Sequence, residues 1–139
     1  MSEFQSLAGR QGRQFSDQCD VVLESEGFVL DGRVQLSEIG VEIDRVAHTR
    51  AGRTVWFECK GSFRGSTPGM RRTDTVKKAI ANGALLAAVA DHPPYIVLTS
   101  HLPEQGSARA MLETALNLGY LTDVVCVNDP SAVRRLREL

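Results

Sequence analysis

Two strand-forming segments joined by a compact turn constrain this chain more than any other feature. Val41-Glu-Ile-Asp-Arg-Val-Ala-His48 alternates apolar and polar residues, and Thr54-Val-Trp-Phe-Glu-Cys-Lys60 is rich in β-branched and aromatic residues. Thr49-Arg-Ala-Gly-Arg53 lies between them and reads as a turn. The three pieces predict a hairpin. Side chains alternate across a strand, so Glu58 and Lys60 share a face. With the turn centred on Ala51, positions 44 and 58 are equidistant from it, and Asp44 falls opposite Glu58. Directly opposed residues have Cβ atoms about 4.5–5.5 Å apart, so this register forces two carboxylates together.

The flanking pattern predicts an α/β chain. Phe15, Cys19, Val22 and Leu23 have helical spacing, which predicts a helix over about Phe15–Glu26, stopped by Gly27. An extended region follows, with strands at Phe28–Leu30 and Val34–Leu36 and a turn at Asp31-Gly32. After the hairpin, residues 61–69 are Gly-rich and read as a flexible loop. A helix is then expected over about Arg72–Ala90, ended by Pro93-Pro94. Tyr95–Thr99 reads as a buried strand, about Ser107–Leu118 as an amphipathic helix closed by Gly119, Val124–Val127 as a strand, and Ser131 onward as a short helix. Strands followed by helical crossovers imply a mixed sheet flanked by helices.

At 139 residues the chain is read as a single domain, 1–139, with residues 1–10 as a flexible tail. No apolar run is long enough to span a membrane. The polar start (Ser2, Glu3, Gln5) lacks a signal-peptide layout, which makes a cytoplasmic location the default expectation. Cys19, Cys59 and Cys126 are scattered singly, against a disulfide framework or a zinc site, and are expected to be buried thiols. No phosphate-cradling, nucleophile-elbow or dinucleotide-binding motif is present. The formal net charge of −1 conceals an asymmetry. Arg50 to Lys78 holds eight basic and two acidic residues, so this segment carries +6 and the remainder −7. Such a field attracts a polyanion, although a solvated loop and helix face accounts for it equally well.

Two opposed carboxylates repel unless a cation compensates them. Mg²⁺ (or Mn²⁺) is commonly held by one or two carboxylates with waters and phosphate oxygens. Asp44 and Glu58 are therefore candidate metal ligands, the Cys59 carbonyl a third, and Lys60 a candidate to orient an attacking water or stabilise the charged transition state. The plainer alternative is an exposed strand pair with a weak cross-strand Asp44–Lys60 ion pair.

Gly40-Val-Glu-Ile-Asp44 and Val55-Trp-Phe-Glu-Cys-Lys-Gly61 resemble the motifs of the PD-(D/E)XK, or restriction-endonuclease-like, nuclease superfamily. The resemblance covers residues from about 15 to 99 and implies an αβββαβ core, with the rest as a C-terminal helix-strand-helix addition. It implies a magnesium-dependent endonuclease hydrolysing DNA phosphodiester bonds, with Asp44 and Glu58 on the metal and Lys60 catalytic. Ile43 stands where the family name has proline. Many members place a glutamate after an aromatic residue in the first helix, where this chain has Ser16 after Phe15; Asp17, Asp20 or Glu42 are the candidate accessory acids. Arg64, Arg71, Arg72 and Lys77 are candidates for phosphate contacts, and Thr75 for a polar contribution to the site. So small a chain, cutting two strands, suggests a homodimer and leaves room for a targeting partner protein or a junction-resolving or mobile-element role. The rival readings are a catalytically inactive nucleic-acid-binding subunit of a larger DNA-processing assembly and an interaction protein in which the acidic pair is incidental. His48 is expected at the surface and Trp56 in core packing, while His92 and His101 carry no assigned role.

Overall fold

The computed structural model describes residues 3–61 and 69–139. The first helix, α1 (Glu3–Ser25), takes in most of the stretch expected as a tail. Phe15, Cys19 and Leu23, four residues apart, are buried along one face, as the periodicity requires. Gly27 adopts φ 93° and the Phe28 amide returns to the Leu23 carbonyl at 3.1 Å, closing the helix.

Seven strands follow: β1 (Val29–Leu30), β2 (Val34–Leu36), β3 (Val41–Ile43), β4 (Arg45–His48), β5 (Thr54–Lys60), β6 (Tyr95–Thr99) and β7 (Asp123–Cys126). The helices after them are α2 (Thr73–Leu85), α3 (Gly106–Leu118) and α4 (Pro130–Arg134). The main sheet has the order β1-β4-β5-β6-β7. Its β1–β4 and β4–β5 pairs are antiparallel, and β5–β6 and β6–β7 are parallel. The parallel pairs are joined through α2 and α3, as parallel neighbours need a crossover. The fold is thus α/β, a mixed sheet flanked by helices. No described helix is long and apolar enough to cross a membrane.

The hairpin register is the expected one: Arg45 pairs with Phe57 and His48 with Thr54. The single strand expected over Val41–His48 is, however, broken at Asp44. Val41 and Ile43 leave the main sheet to pair with β2 in a separate two-stranded sheet, Val34 opposite Ile43. The cause is burial: both residues are at most 1% exposed and sit in a core with Met70, Val76, Tyr95, Val97 and Leu112. Asp31-Gly32 is also more than a turn. The Asp31 amide reaches the Val46 carbonyl at 2.7 Å and the Val46 amide the Gly32 carbonyl at 2.8 Å, extending the edge of the sheet.

Each sheet face has its own core. α1 and α4 cover Ala47, Val55, Phe57, Ile96, Leu98 and Val125. On the other face α2, α3 and β3 cover Trp56, Tyr95, Val97 and Val124. Cys19 is buried as expected, and a hydrogen bond with Cys59, with burial, pushes its thiol well above the ordinary range. Cys59 and Cys126 are only half-buried, because each lies near the carboxyl end of its strand.

α2 meets the turn after α3 closely at Gly83, where an added Cβ would lie 2.3 Å from the Tyr120 carbonyl oxygen. Helix propensity favours Gly→Ala by about 1 kcal/mol, but the backbone oxygen cannot swing away as a side chain can. Gly83→Ala is expected to destabilise by about 1–3 kcal/mol, measured by urea unfolding; a gain in stability would show that α2 and the turn after α3 are not this close.

Candidate active site

The site forms where the β4–β5 ladder runs out. Extending the register by one step sets Asp44 opposite Glu58 and Ile43 opposite Cys59, but Ile43 is committed to β2. The Cys59 amide is instead satisfied by the Asp44 side chain, Oδ2 accepting at 3.0 Å. Arg45 holds this bend from the other side: its Nη1 donates to the Asp44 carbonyl at 2.8 Å and its Nε to Asp20 Oδ1 at 2.7 Å. The Asp44 carboxylate is thereby fixed beside β5 by main-chain chemistry as well as by register.

Glu58 is 3% exposed, an unusual depth for a carboxylate. Its two oxygens have different partners. Oε1 is 2.9 Å from Lys60 Nζ, and Oε2 accepts from the Tyr95 hydroxyl at 3.2 Å. Burial pushes its pKa up to about 7, the nearby Asp44 charge adds to the rise, and Lys60 opposes it. Lys60 is thus paired with Glu58, two positions back on the same strand face, and not with Asp44 across the strands as in the plainer alternative. Tyr95 is fully buried, and Asn82 of α2 acts on its phenol in the opposite sense to burial. Burial and Glu58 hold that phenol in its neutral form.

These residues lie toward the carboxyl end of β5, where Lys60 is paired with Thr99 of β6 and Thr99 with Cys126 of β7. Ligand sites in open α/β sheets favour this side of parallel strands. The chain returns there after the Gly-rich segment: the Met70 amide bonds the His101 carbonyl at 3.0 Å, and an added Cβ at Gly69 would lie 2.9 Å from Ser100 Oγ. Arg71, Arg72 and Lys77 follow on exposed surface, Arg71 only 3.7 Å from Glu104. His101 stands near Arg71; burial and that guanidinium lower its pKa.

The sequence-predicted residues therefore divide. Asp44, Glu58, Cys59 and Lys60 come together. Asp20 is taken up by Arg45, Glu42 pairs with Arg33 at 2.7 Å on the outer side of the small sheet, and Asp17 is exposed on α1. Thr75 is half-buried on α2. Arg64 lies outside the described residues, with most of the Gly-rich loop. Trp56 packs into the core beneath and stacks on His92, ring centroids 6.3 Å apart. His48 is a third exposed and bridges Thr54 and Asp31 at 3.1 and 3.2 Å. Tyr95, Asn82 and His101 join the site or its rim unforeseen.

Among the described residues no three His, Cys, Asp or Glu side chains converge on a point. A cation here would rest on two carboxylates and main-chain oxygen, completed by water or substrate. That all-oxygen set suits Mg²⁺ or Mn²⁺ rather than a thiophilic metal. The proton that Glu58 retains up to about pH 7 marks the same need for positive charge. The donors fit such a cation. Comparison with models of known families, with curated proteins and with solved structures finds no match in any of the three.

A carboxyl that binds its proton more tightly folded than unfolded stabilises the fold below its unfolded pKa, and that contribution is lost as pH rises through the folded value. For Glu58, raised from 4.5 to about 7, the contribution is about 3 kcal/mol at most. In a chelator, wild-type stability relative to Glu58→Gln should fall as pH rises from about 4.5 through 7. Parallel pH profiles from denaturant melts of the two proteins would exclude the raised pKa.

Proposed function

We propose that this chain is a metal-dependent nuclease that hydrolyses phosphodiester bonds in DNA, on a restriction-endonuclease-like fold. The observation that carries the reading is the cluster of buried Glu58 with half-buried Asp44 and Lys60 at the end of a central strand, followed in the chain by exposed Arg71, Arg72 and Lys77. Asp44 and Glu58, with the Cys59 carbonyl, hold Mg²⁺ or Mn²⁺. When bound, the cation activates water and stabilises charge on the phosphoryl group.

The chain's own residues do the remaining work. Lys60 has three N–H donors; one faces Glu58, and the others serve to orient the attacking water or meet a non-bridging phosphate oxygen. Water attacks phosphorus, the P–O bond on the opposite side breaks, and the departing oxygen takes up a proton from solvent. Arg71, Arg72 and Lys77 hold flanking phosphates, which gives a salt-dependent affinity without sequence reading. A two-fold dimer would bring one such site to each strand of a duplex, and a partner protein would supply targeting.

One observation favours a second reading, a nucleic-acid-binding subunit without cleavage. Asp20 and Glu42 are engaged by arginines and Asp17 is exposed, so no accessory acid supports Asp44 and Glu58.

The test is cleavage of plasmid, linear duplex, single strand and four-way junction with Mg²⁺ or Mn²⁺, by wild type and Lys60→Ala. We expect metal-dependent cutting that falls by about 10²-fold or more in the variant. Cutting indifferent to Lys60 would sink the assignment of the site. Binding that survives EDTA without cutting would select the second reading.

A further inference from the structure

The buried face of the site holds a device that the nuclease chemistry above does not use. Glu58 Oε2 accepts from the Tyr95 hydroxyl at 3.2 Å, and the Asn82 side chain favours the ionised phenol, opposing burial and Glu58. The three residues come from three elements, β5, β6 and α2. Glu58 and Tyr95 share a face because β5 and β6 are parallel with Trp56 opposite Tyr95 and Glu58 opposite Val97. A phenol has a single proton. The Tyr95 O–H donates to Glu58 Oε2, so that proton is directed at the carboxylate. Among the described residues every buried side-chain nitrogen and oxygen has a partner, so the arrangement is complete as it stands.

We propose that Tyr95, oriented by Asn82, is a positioning residue that clamps one oxygen of Glu58 and so sets the geometry and affinity of the metal site. The inference rests on the reading of Asp44 and Glu58 as metal ligands. A carboxylate on a flexible three-bond side chain is a poor ligand if it rotates, because each metal-binding event must then fix it. Lys60 cannot supply the restraint alone: its own stem is flexible, its ammonium is a point charge that follows the carboxylate, and it is a quarter exposed. Tyr95 is fully buried and its ring is held by the core over α2 and α3. Partners of this kind, which hydrogen-bond a ligand rather than the metal, typically alter metal affinity 10- to 100-fold. Tyr95 touches neither substrate nor metal, and its effect passes through Glu58.

The experiment is direct Mn²⁺ binding, by electron paramagnetic resonance without nucleic acid, to wild type, Tyr95→Phe, Asn82→Leu and the double variant, with Glu58→Gln as control. Denaturant melts in EDTA accompany each. We expect Tyr95→Phe to weaken Mn²⁺ about tenfold, to change the bound Mn²⁺ spectrum, and to remain folded. Asn82→Leu should act in the same direction, and the double variant should lose no more than Tyr95→Phe alone, since the two act through one hydrogen bond. Unchanged affinity and spectrum in a folded Tyr95→Phe, with binding still abolished by Glu58→Gln, would overturn the clamp while leaving the metal site intact. Wild type that binds no Mn²⁺ would overturn both. If Tyr95→Phe proves unstable, Asn82→Leu alone decides, since it leaves the tyrosine in place.

Discussion

The hydrogen bond from the Cys59 amide to the Asp44 carboxylate is the contact on which the arrangement of this molecule depends. A central strand must satisfy its main-chain donors on both sides. On the β6 side Cys59 lies in a continuous parallel ladder. On the β4 side the ladder would continue through Ile43, but Val41 and Ile43 bury themselves over the opposite sheet face and pair with β2. The amide left behind needs an acceptor, and the carboxylate at the break provides one. One conflict between packing and hydrogen bonding is thus resolved by a charged side chain, which then stands against Glu58. The acidic pair follows from how the sheet ends there.

Charge at the site is left in an unresolved state by the same construction. Glu58 is buried, lies near a second carboxylate and, among the described residues, is paired with one cation, Lys60. Two negative groups against one positive group in a site of low polarity cannot all be ionised without cost, and Glu58 answers by holding its proton up to about pH 7. A proton and a divalent cation are alternative solutions to one electrostatic problem. A metal bound as proposed would displace the proton, and its affinity would be coupled to pH. An ordinary ion pair on an exposed hairpin would give neither the burial nor the shift.

Much of this was legible in the sequence, for identifiable reasons. The register followed from turn symmetry about Ala51, since hairpin pairing is fixed by the turn. The helices after the hairpin followed from apolar spacing, and Ala108, Leu112 and Ala115 are buried as that spacing requires. The break at Asp44 was not legible, because Val41–His48 alternates cleanly through it; only the competition between two sheets for Ile43 reveals it. Strand parity put Lys60 on the face of Glu58, and the lysine pairs with Glu58 rather than across the strands with Asp44 as the plainer alternative had it. Tyr95 and Asn82 were invisible for a different reason. Their partner lies on another element, 37 residues from Tyr95, and nothing local indicates which way a buried tyrosine hydroxyl points. Asp20 looked available as an accessory acid because its partner Arg45 is 25 residues away.

β5 explains why chemistry gathers at this point in the fold. It is antiparallel to β4 on one side and parallel to β6 on the other. Its antiparallel edge comes from a local hairpin, which ends where sequence allows and so leaves room for Asp44. Its parallel edge comes through α2, which carries Asn82 toward Tyr95 and is preceded by Arg71 and Arg72, just after the Met70 amide bonds the His101 carbonyl beyond β6. The two edges set different properties of one carboxylate. The hairpin side supplies the like charge that gives Glu58 its need for a cation, and the crossover side supplies the hydrogen bond that holds it still. A purely antiparallel sheet would lack the covering helix, and a purely parallel one would lack the frayed ladder end. The site requires both kinds of pairing on a single strand.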